Sequence, residues 1–222
     1  MAKVDLFCRE VWGGIVIPVA VQPEPPDFDA KVRTPGKAFL KRNPNPTTWK
    51  ECWRNCLWDL YESYGRICAY STHWFSRCEG IATVDHFIPK SKDPSNAYEW
   101  DNFRLAILRM NSLKKDHQDV LDPFRIAKET FVLDFTTLIP EPGPKVSKSL
   151  AGKVRATIRR LKLDNNVCVE ARMDWLKLYC DKDLTFKGLV KRAPFLAYEI
   201  ERQDLSAASL RKIFRRPKNS SS

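Results

Sequence analysis

The run "GIATVDH" reads as a strand, yet it closes on Asp85 and His86. A buried strand end is a poor place for an acid and an imidazole unless they are paired or liganded. Neighbours within a strand point to opposite faces, but at a strand end both side chains can address one small site. The chain has only three histidines, His73, His86 and His117. Asn111, near the start of the following helix, offers a neutral carbonyl oxygen. Asp85 and Asn111 together make an oxygen pair suited to magnesium or manganese, which often take one or two protein ligands and keep several waters. His86 then stays off the metal and, as a neutral imidazole, takes a proton from water near neutral pH. The competing readings are structural: a satisfied buried histidine, a turn or capping aspartate, and an asparagine N-cap.

Cationic groups flank these residues: Lys90, Lys92, Arg104, Arg109, Lys114 and Lys115, with His117 beyond them. They are candidate nucleic-acid contacts, since lysine and arginine hold phosphate backbones; otherwise they form a solvated basic face. His117 is open between a surface residue and a phosphate contact, and His73 reads as ordinary. Tyr98, Trp100 and Phe103 could stack on bases, but are read as core.

The elements that must position this set follow from pattern. "IATVDHFI" reads as a strand stopped by Pro89, "PKSKDPSNAYEWDN" as a long loop with turn signals, "FRLAIL" as a second strand, and "RMNSLKKDHQDVL" as a short helix closed by Pro123. Before them, residues 66–80 look loop-like. "WKECWRNCLWDLYESYG" carries apolar positions at three- and four-residue spacing, which predicts one helix capped by Thr47 or Thr48 and ended by Gly65. Its apolar face is read as core rather than as a partner surface. The proline-rich stretch 20–47 reads as an ordered arm on the surface. After residue 125 the pattern predicts helices throughout: "SKSLAGKVRATIRRLKL", "NNVCVEARMDWLKLYCDK", "TFKGLVKRAPFLAYEIERQ" and "LSAASLRKIFRR", then a frayed "PKNSSS".

Composition sets the class. The 222 residues carry a formal net charge of +11, with 43% hydrophobic and 11% aromatic residues. With a pI near 9.4, the balance points modestly to a polyanionic partner, most often nucleic acid. The basic residues cluster in "PKSK", "SLKK", "GKVRATIRRLK" and "RKIFRRPK". No apolar run approaches a membrane span. The apolar piece "GIVIPVAV" is interrupted by Pro18, follows the acidic Glu10, and reads as a strand or extended arm rather than a targeting signal. Seven cysteines, without a CxxC pair, argue for reduced thiols in a cytoplasm and against a zinc site by spacing.

Taken together, "VDHFIPKS", "YEWDNFRLA" and "NSLKKD" resemble the ββα-metal motif of the HNH nuclease superfamily. On that resemblance Asp85 and Asn111 are the metal ligands, His86 is the general base, and Asn102 holds the long loop that positions the histidine. With "PEPPDFDAKVRTPGKAFL", "ICAYS" and "DHQDVLDPF", the chain is similar to the HNH subunit of Septu-type antiphage defence systems, a subunit type that also accompanies some retrons. The likeness is strongest over residues 66–125 and looser over 20–65. It implies one Mg2+ or Mn2+ per active site, a DNA substrate, an ATPase partner subunit, a retron reverse transcriptase and its DNA in some systems, and a bacterial cytoplasmic setting without membrane attachment. The sequence departs from relatives that carry paired zinc knuckles: Cys68 is kept, but Ser71, Ile107 and Met110 occupy the other three positions. No structural zinc is expected, with Ile107 and Met110 packing against Trp74 and Phe75 instead.

The expected architecture is α+β and mostly helical, with a small ββα-metal module embedded among α-helices. Residues 1–65 form an N-terminal arm and helix, 66–125 the nuclease module, and 126–222 a C-terminal helical region suited to partner docking. The expected activity is metal-dependent cleavage of DNA phosphodiester bonds under control of an ATPase. The rivals are an RNA nuclease, for example on transfer RNA, and a non-catalytic nucleic-acid-binding or assembly subunit.

Overall fold

The structure is a computed structural model and describes residues 19–215. The expected strand at 14–21 lies mostly, and the frayed end at 217–222 entirely, outside the described residues. The fold is α+β and mostly helical, with two small antiparallel sheets. Among the described residues, no helix is long and apolar enough to cross a membrane.

The N-terminal stretch is more deeply built in than a surface arm. A π-helical turn at Asp29–Arg33, in which the Thr34 N–H reaches the Asp29 carbonyl, runs directly into α1, Thr34–Arg42, and Pro35 sits just past that wider turn. Phe28 and Val32 are fully buried. Arg33 Nε reaches Glu99 at 2.7 Å, Lys37 Nζ reaches the same carboxylate at 2.7 Å, and Arg33 also pairs with Glu24 and Asp29. Trp100 Nε1 donates to the Gln22 carbonyl at 2.9 Å. Gly36 is needed where α1 crosses the Tyr98 ring, because a Cβ there would lie 2.2 Å from Tyr98 Cγ.

The helix expected over 49–64 is broken. Residues 47–51 precede a 3-10 turn at Cys52–Cys56, and only Leu57–Ser63 is α-helical, forming α2. Neither Thr47 nor Thr48 caps it. Tertiary packing overrides the periodicity: the turn buries Cys52, Trp53 and Cys56 together and sets the Trp53 indole edge-on to His86 at 4.7 Å.

Strand β1, Ala82–His86, pairs antiparallel with β2, Phe103–Ile107, in the register Asp85↔Arg104 and His86↔Phe103. Helix α3, Leu108–Lys114, follows directly; it is shorter than the pattern suggested. Both α2 and α3 pack on this sheet, so β2 is buried along most of its length, as sheets covered on both faces are. Tyr98, Trp100 and Phe103 are core residues, each at most 2% exposed.

The C-terminal half departs from all-helix at one place. Strands β3, Phe131–Asp134, and β4, Ile139–Pro142, form a hairpin. Proline at 140 and 142 hid it, since proline is confined to edge strands. Then come α4, Lys148–Leu161; α5, Asn166–Cys180; α6, Phe186–Arg192; α7, Pro194–Arg202; and α8, Ala207–Arg215. Ser147, Asn165 and Thr185 cap α4, α5 and α6 with side-chain acceptors. The single helix expected over 185–203 divides at Ala193, whose backbone (φ −143°, ψ 68°) leaves the α region before Pro194, because proline disfavours the α conformation in the residue before it. From α7, Glu199 and Gln203 bond the Leu133 N–H at 2.7 Å and its carbonyl at 2.8 Å. The buried apolar side chains of all these parts form one contiguous cluster.

Candidate active site

The end of β1, the turn after Pro89 and the C-terminal end of α3 enclose a cleft of about 270 Å³, lined by Trp49, Asp85, His86, Lys90, Asn111, Lys115 and Asp116 among others. The three residues singled out as metal ligands and base therefore share one cavity.

Asp85 is 2% exposed. Lys114 Nζ donates to its Oδ1 at 3.1 Å, and the Tyr70 hydroxyl donates to Oδ2. Burial raises the Asp85 pKa above the usual carboxylate range, while Lys114 and Tyr70 oppose that rise. Burial and the adjacent carboxylate push the Tyr70 phenol well above its ordinary value, so it remains a donor. Each Asp85 oxygen accepts one bond and keeps a lone pair.

Asn111 is oriented by its nitrogen. Nδ2 donates to Thr83 Oγ1 at 3.1 Å and faces the Val84 carbonyl at 3.5 Å. A carbonyl can only accept, so the amide oxygen takes the other side, and Asn111 lines the cleft with an acceptor to offer. Thr83 is itself held by donating to the Ala106 carbonyl at 2.8 Å across the sheet.

His86 is 8% exposed and boxed by Trp53 and by Phe103, whose ring lies edge-on at 5.1 Å. Its Nε2 lies 2.9 Å from the Ala97 carbonyl. That acceptor assigns the proton to Nε2 and leaves Nδ1 as the basic nitrogen. Burial, reinforced by the positive Lys90, pushes the His86 pKa down to about 3, so the ring is neutral at physiological pH. Ala97 belongs to the long loop, and Asn102 ties that loop shut. Asn102 Oδ1 accepts from the Ile88 N–H at 2.7 Å, and Nδ2 donates to the Ile88 and Asn96 carbonyls, each at 3.0 Å.

The cationic candidates divide. Lys90 lines the cleft, with its ammonium 4.0 Å from the Trp53 ring centre, and Lys115 lines it from just past the end of α3. Lys92 and Arg109 are exposed outside it. His117 lies in an adjoining groove, its Nε2 3.1 Å from Arg160. Two expectations are corrected. Arg104 is 3% exposed and chelates Asp122 through Nε at 3.0 Å and Nη2 at 2.8 Å, so its guanidinium faces protein instead of solvent. Lys114 is fully buried, bonding Asp85 and the His86 carbonyl at 2.9 Å. Sequence reasoning also missed Tyr70 and Thr83. Neither carries a local signal, because Tyr70 meets Asp85 from 15 residues away and Thr83 meets Asn111 from 28.

At the positions of the expected missing zinc knuckle, Ser71 is half-buried, Ile107 is half-buried and apolar, and the other two are buried. Cys68 is fully buried, Met110 is 1% exposed, and Phe75 and Ile107 flank Gly80. Trp74 instead stacks under the Arg192 guanidinium at 3.8 Å. Among the described residues, no cluster of three or more His, Cys, Asp or Glu side chains is placed to hold a metal ion. The candidate oxygens are one carboxylate and one amide, a donor set suited to a hard, largely hydrated cation. No family model and no curated protein matches the chain.

Proposed function

We propose that the chain is a metal-dependent endonuclease of the ββα-metal (HNH) type that hydrolyses DNA phosphodiester bonds. The observation that carries this reading is the convergence of Asp85, Asn111 and a neutral, tautomer-fixed His86 in one cleft. Asp85 and the Asn111 amide oxygen would hold a single Mg2+ or Mn2+. When bound, that ion supplies positive charge to the scissile phosphate and the departing oxygen.

The remaining work falls to side chains in place. His86 Nδ1 accepts the proton of the attacking water, and its Nε2–H stays on the Ala97 carbonyl, which keeps the ring from turning. Asn102 acts through that carbonyl and is a positioning residue. Lys90 and Lys115, which both line the cleft, attract the phosphodiester. Lys114 and Tyr70 fix the Asp85 carboxylate. On the resemblance to Septu-type subunits, an ATPase partner would control the activity in antiphage defence.

The test is nicking of supercoiled plasmid by the purified chain in Mg2+ or Mn2+, beside His86→Ala and Asn111→Ala, each with and without a Septu-type ATPase subunit. Removing a positioned general base lowers the rate roughly 10²- to 10⁴-fold, so the His86→Ala lane should stay supercoiled. Equal nicking by wild type and His86→Ala would exclude His86 as the base. Cleavage of RNA transcripts in place of plasmid, still dependent on His86, would keep the centre and change the substrate.

A further inference from the structure

A second concavity, of about 580 Å³, adjoins the cleft. It lies between the end of α3 and the end of α4, lined by Lys115, His117, Asp119, Arg159, Arg160 and Lys162, and also by Ser112, Leu113 and Ala156. Lys115 lines both the cleft and this groove, so the two are continuous through one side chain. From this continuity and the charge of its walls, we infer that the groove carries the phosphodiester backbone of the DNA away from the scissile phosphate. The inference rests on the nuclease reading of the cleft.

Charge supports it first. Helix α4 carries Lys148, Lys153, Arg155, Arg159 and Arg160 and no acidic residue, and none occurs from Lys145 to Leu163. The one acid of the groove, Asp119, is held by Arg160, with Nη2 to Oδ2 at 3.0 Å and Nε to both oxygens at 3.1 and 3.2 Å. Arg160 also faces His117 Nε2, which makes the pair a fixed wall. Lys115, Arg159 and Lys162 are exposed, and no ion pair to any of the three occurs among the described residues.

Basic residues at the end of α4 also complement the helix dipole, which is reason enough for Arg159 and Arg160. The dipole favours Lys115 and Lys162 as well, the C-cap residues of α3 and α4, but their backbone does not favour lysine. Both follow a helix with φ of 50°, Lys162 in the left-handed helical region at ψ 44° and Lys115 at ψ −130°, positive-φ positions where glycine is the favoured residue. Lysine at both turns places two ammonium groups on one groove at a conformational cost. A strand bound in the cleft between Lys90 and Lys115 and leaving past Lys115 meets this groove next.

The test is anisotropy of a labelled DNA duplex across a salt series, in the His86→Ala background so that nothing is cut. The groove variant is Arg159→Gln with Lys162→Gly, the glycine suiting the left-handed turn. The control is Lys187→Gln with Lys191→Gln on α6, which removes the same charge from a helix that does not line the groove. Each lost phosphate contact lowers the slope of log affinity against log salt by about 0.9. The groove variant should therefore lose about 1.8 in slope, so that its affinity deficit shrinks roughly tenfold between 50 and 200 mM salt; the control should keep the wild-type slope. Equal slopes for all three, or an equal loss in the control, overturn the groove. A parent chain that binds no duplex also overturns it. The centre is read separately, from His86-dependent hydrolysis of bis(4-nitrophenyl) phosphate, which is too short to enter the groove.

Discussion

Replacing Lys114 by methionine separates two accounts of one residue. In sequence it reads as one of several basic residues beside the candidate site; in the fold it is fully buried, with its ammonium on Asp85 Oδ1 and the His86 carbonyl. Methionine keeps much of the stem volume and removes the charge, leaving Asp85 at 2% exposure with only Tyr70 as a donor. Breaking a buried ion pair by removing one partner costs roughly 3–5 kcal/mol. For a chain of this length each kcal/mol moves the melting midpoint by about 2–4 °C, so the expected fall is about 6–20 °C. The assay is urea and thermal unfolding of Lys114→Met, Asp85→Asn and the double variant. Coupling between contacting residues is about 0.5–3 kcal/mol, so the double variant should lose less than the sum of the singles. A Lys114→Met protein of wild-type stability, with weaker DNA binding and a shallower salt slope, would refute the burial argument and restore the surface reading.

Three further outcomes follow from the same packing. Burial holds His86 and His73 near pKa 3, against about 6.5 unfolded. Their contribution is complete above pH 6.5 and declines as pH falls towards 3, with about 2 kcal/mol lost per histidine at pH 5; ring resonances titrating near 6.5 in the native protein would contradict this. The same shift means that cleavage should show no acid limb from His86 between pH 5 and 8, checked against the pH–rate profile of single-turnover nicking. Gly36→Ala drives a methyl into the Tyr98 ring and should cost about 1–3 kcal/mol as overpacking does; an unchanged urea midpoint would show that α1 can shift off the loop.

The strand, long loop, strand and short helix were legible because their signals are local. Pro89 ends one element, "DPSN" turns the chain, and "FRLAIL" offers a continuous apolar run. The three caps in the C-terminal half, Ser147, Asn165 and Thr185, are equally local, each bonding an N–H three residues on. Elsewhere distant contacts decided. The helix expected from Trp49 breaks because Trp53 is drawn onto His86. The hairpin at 131–142 is satisfied on its outer side by Glu199 and Gln203, more than 60 residues away, and nothing near the strands announces that.

The sequence by itself determined which groups can do the chemistry. An acid and an imidazole at a strand end, with an amide on the next helix, are fixed by residue type and by spacings that short-range geometry translates reliably. Tertiary structure alone decided the state in which those groups are held. It buried Asp85 against Lys114 and Tyr70, tied His86 Nε2 to Ala97, turned the Asn111 oxygen away from Thr83, and sorted six similar cations into two buried pair-makers and four at the surface or cleft. Protonation, tautomer and amide orientation depend on which donors and acceptors lie within about 3 Å. In a folded chain most of those neighbours come from residues far apart in sequence.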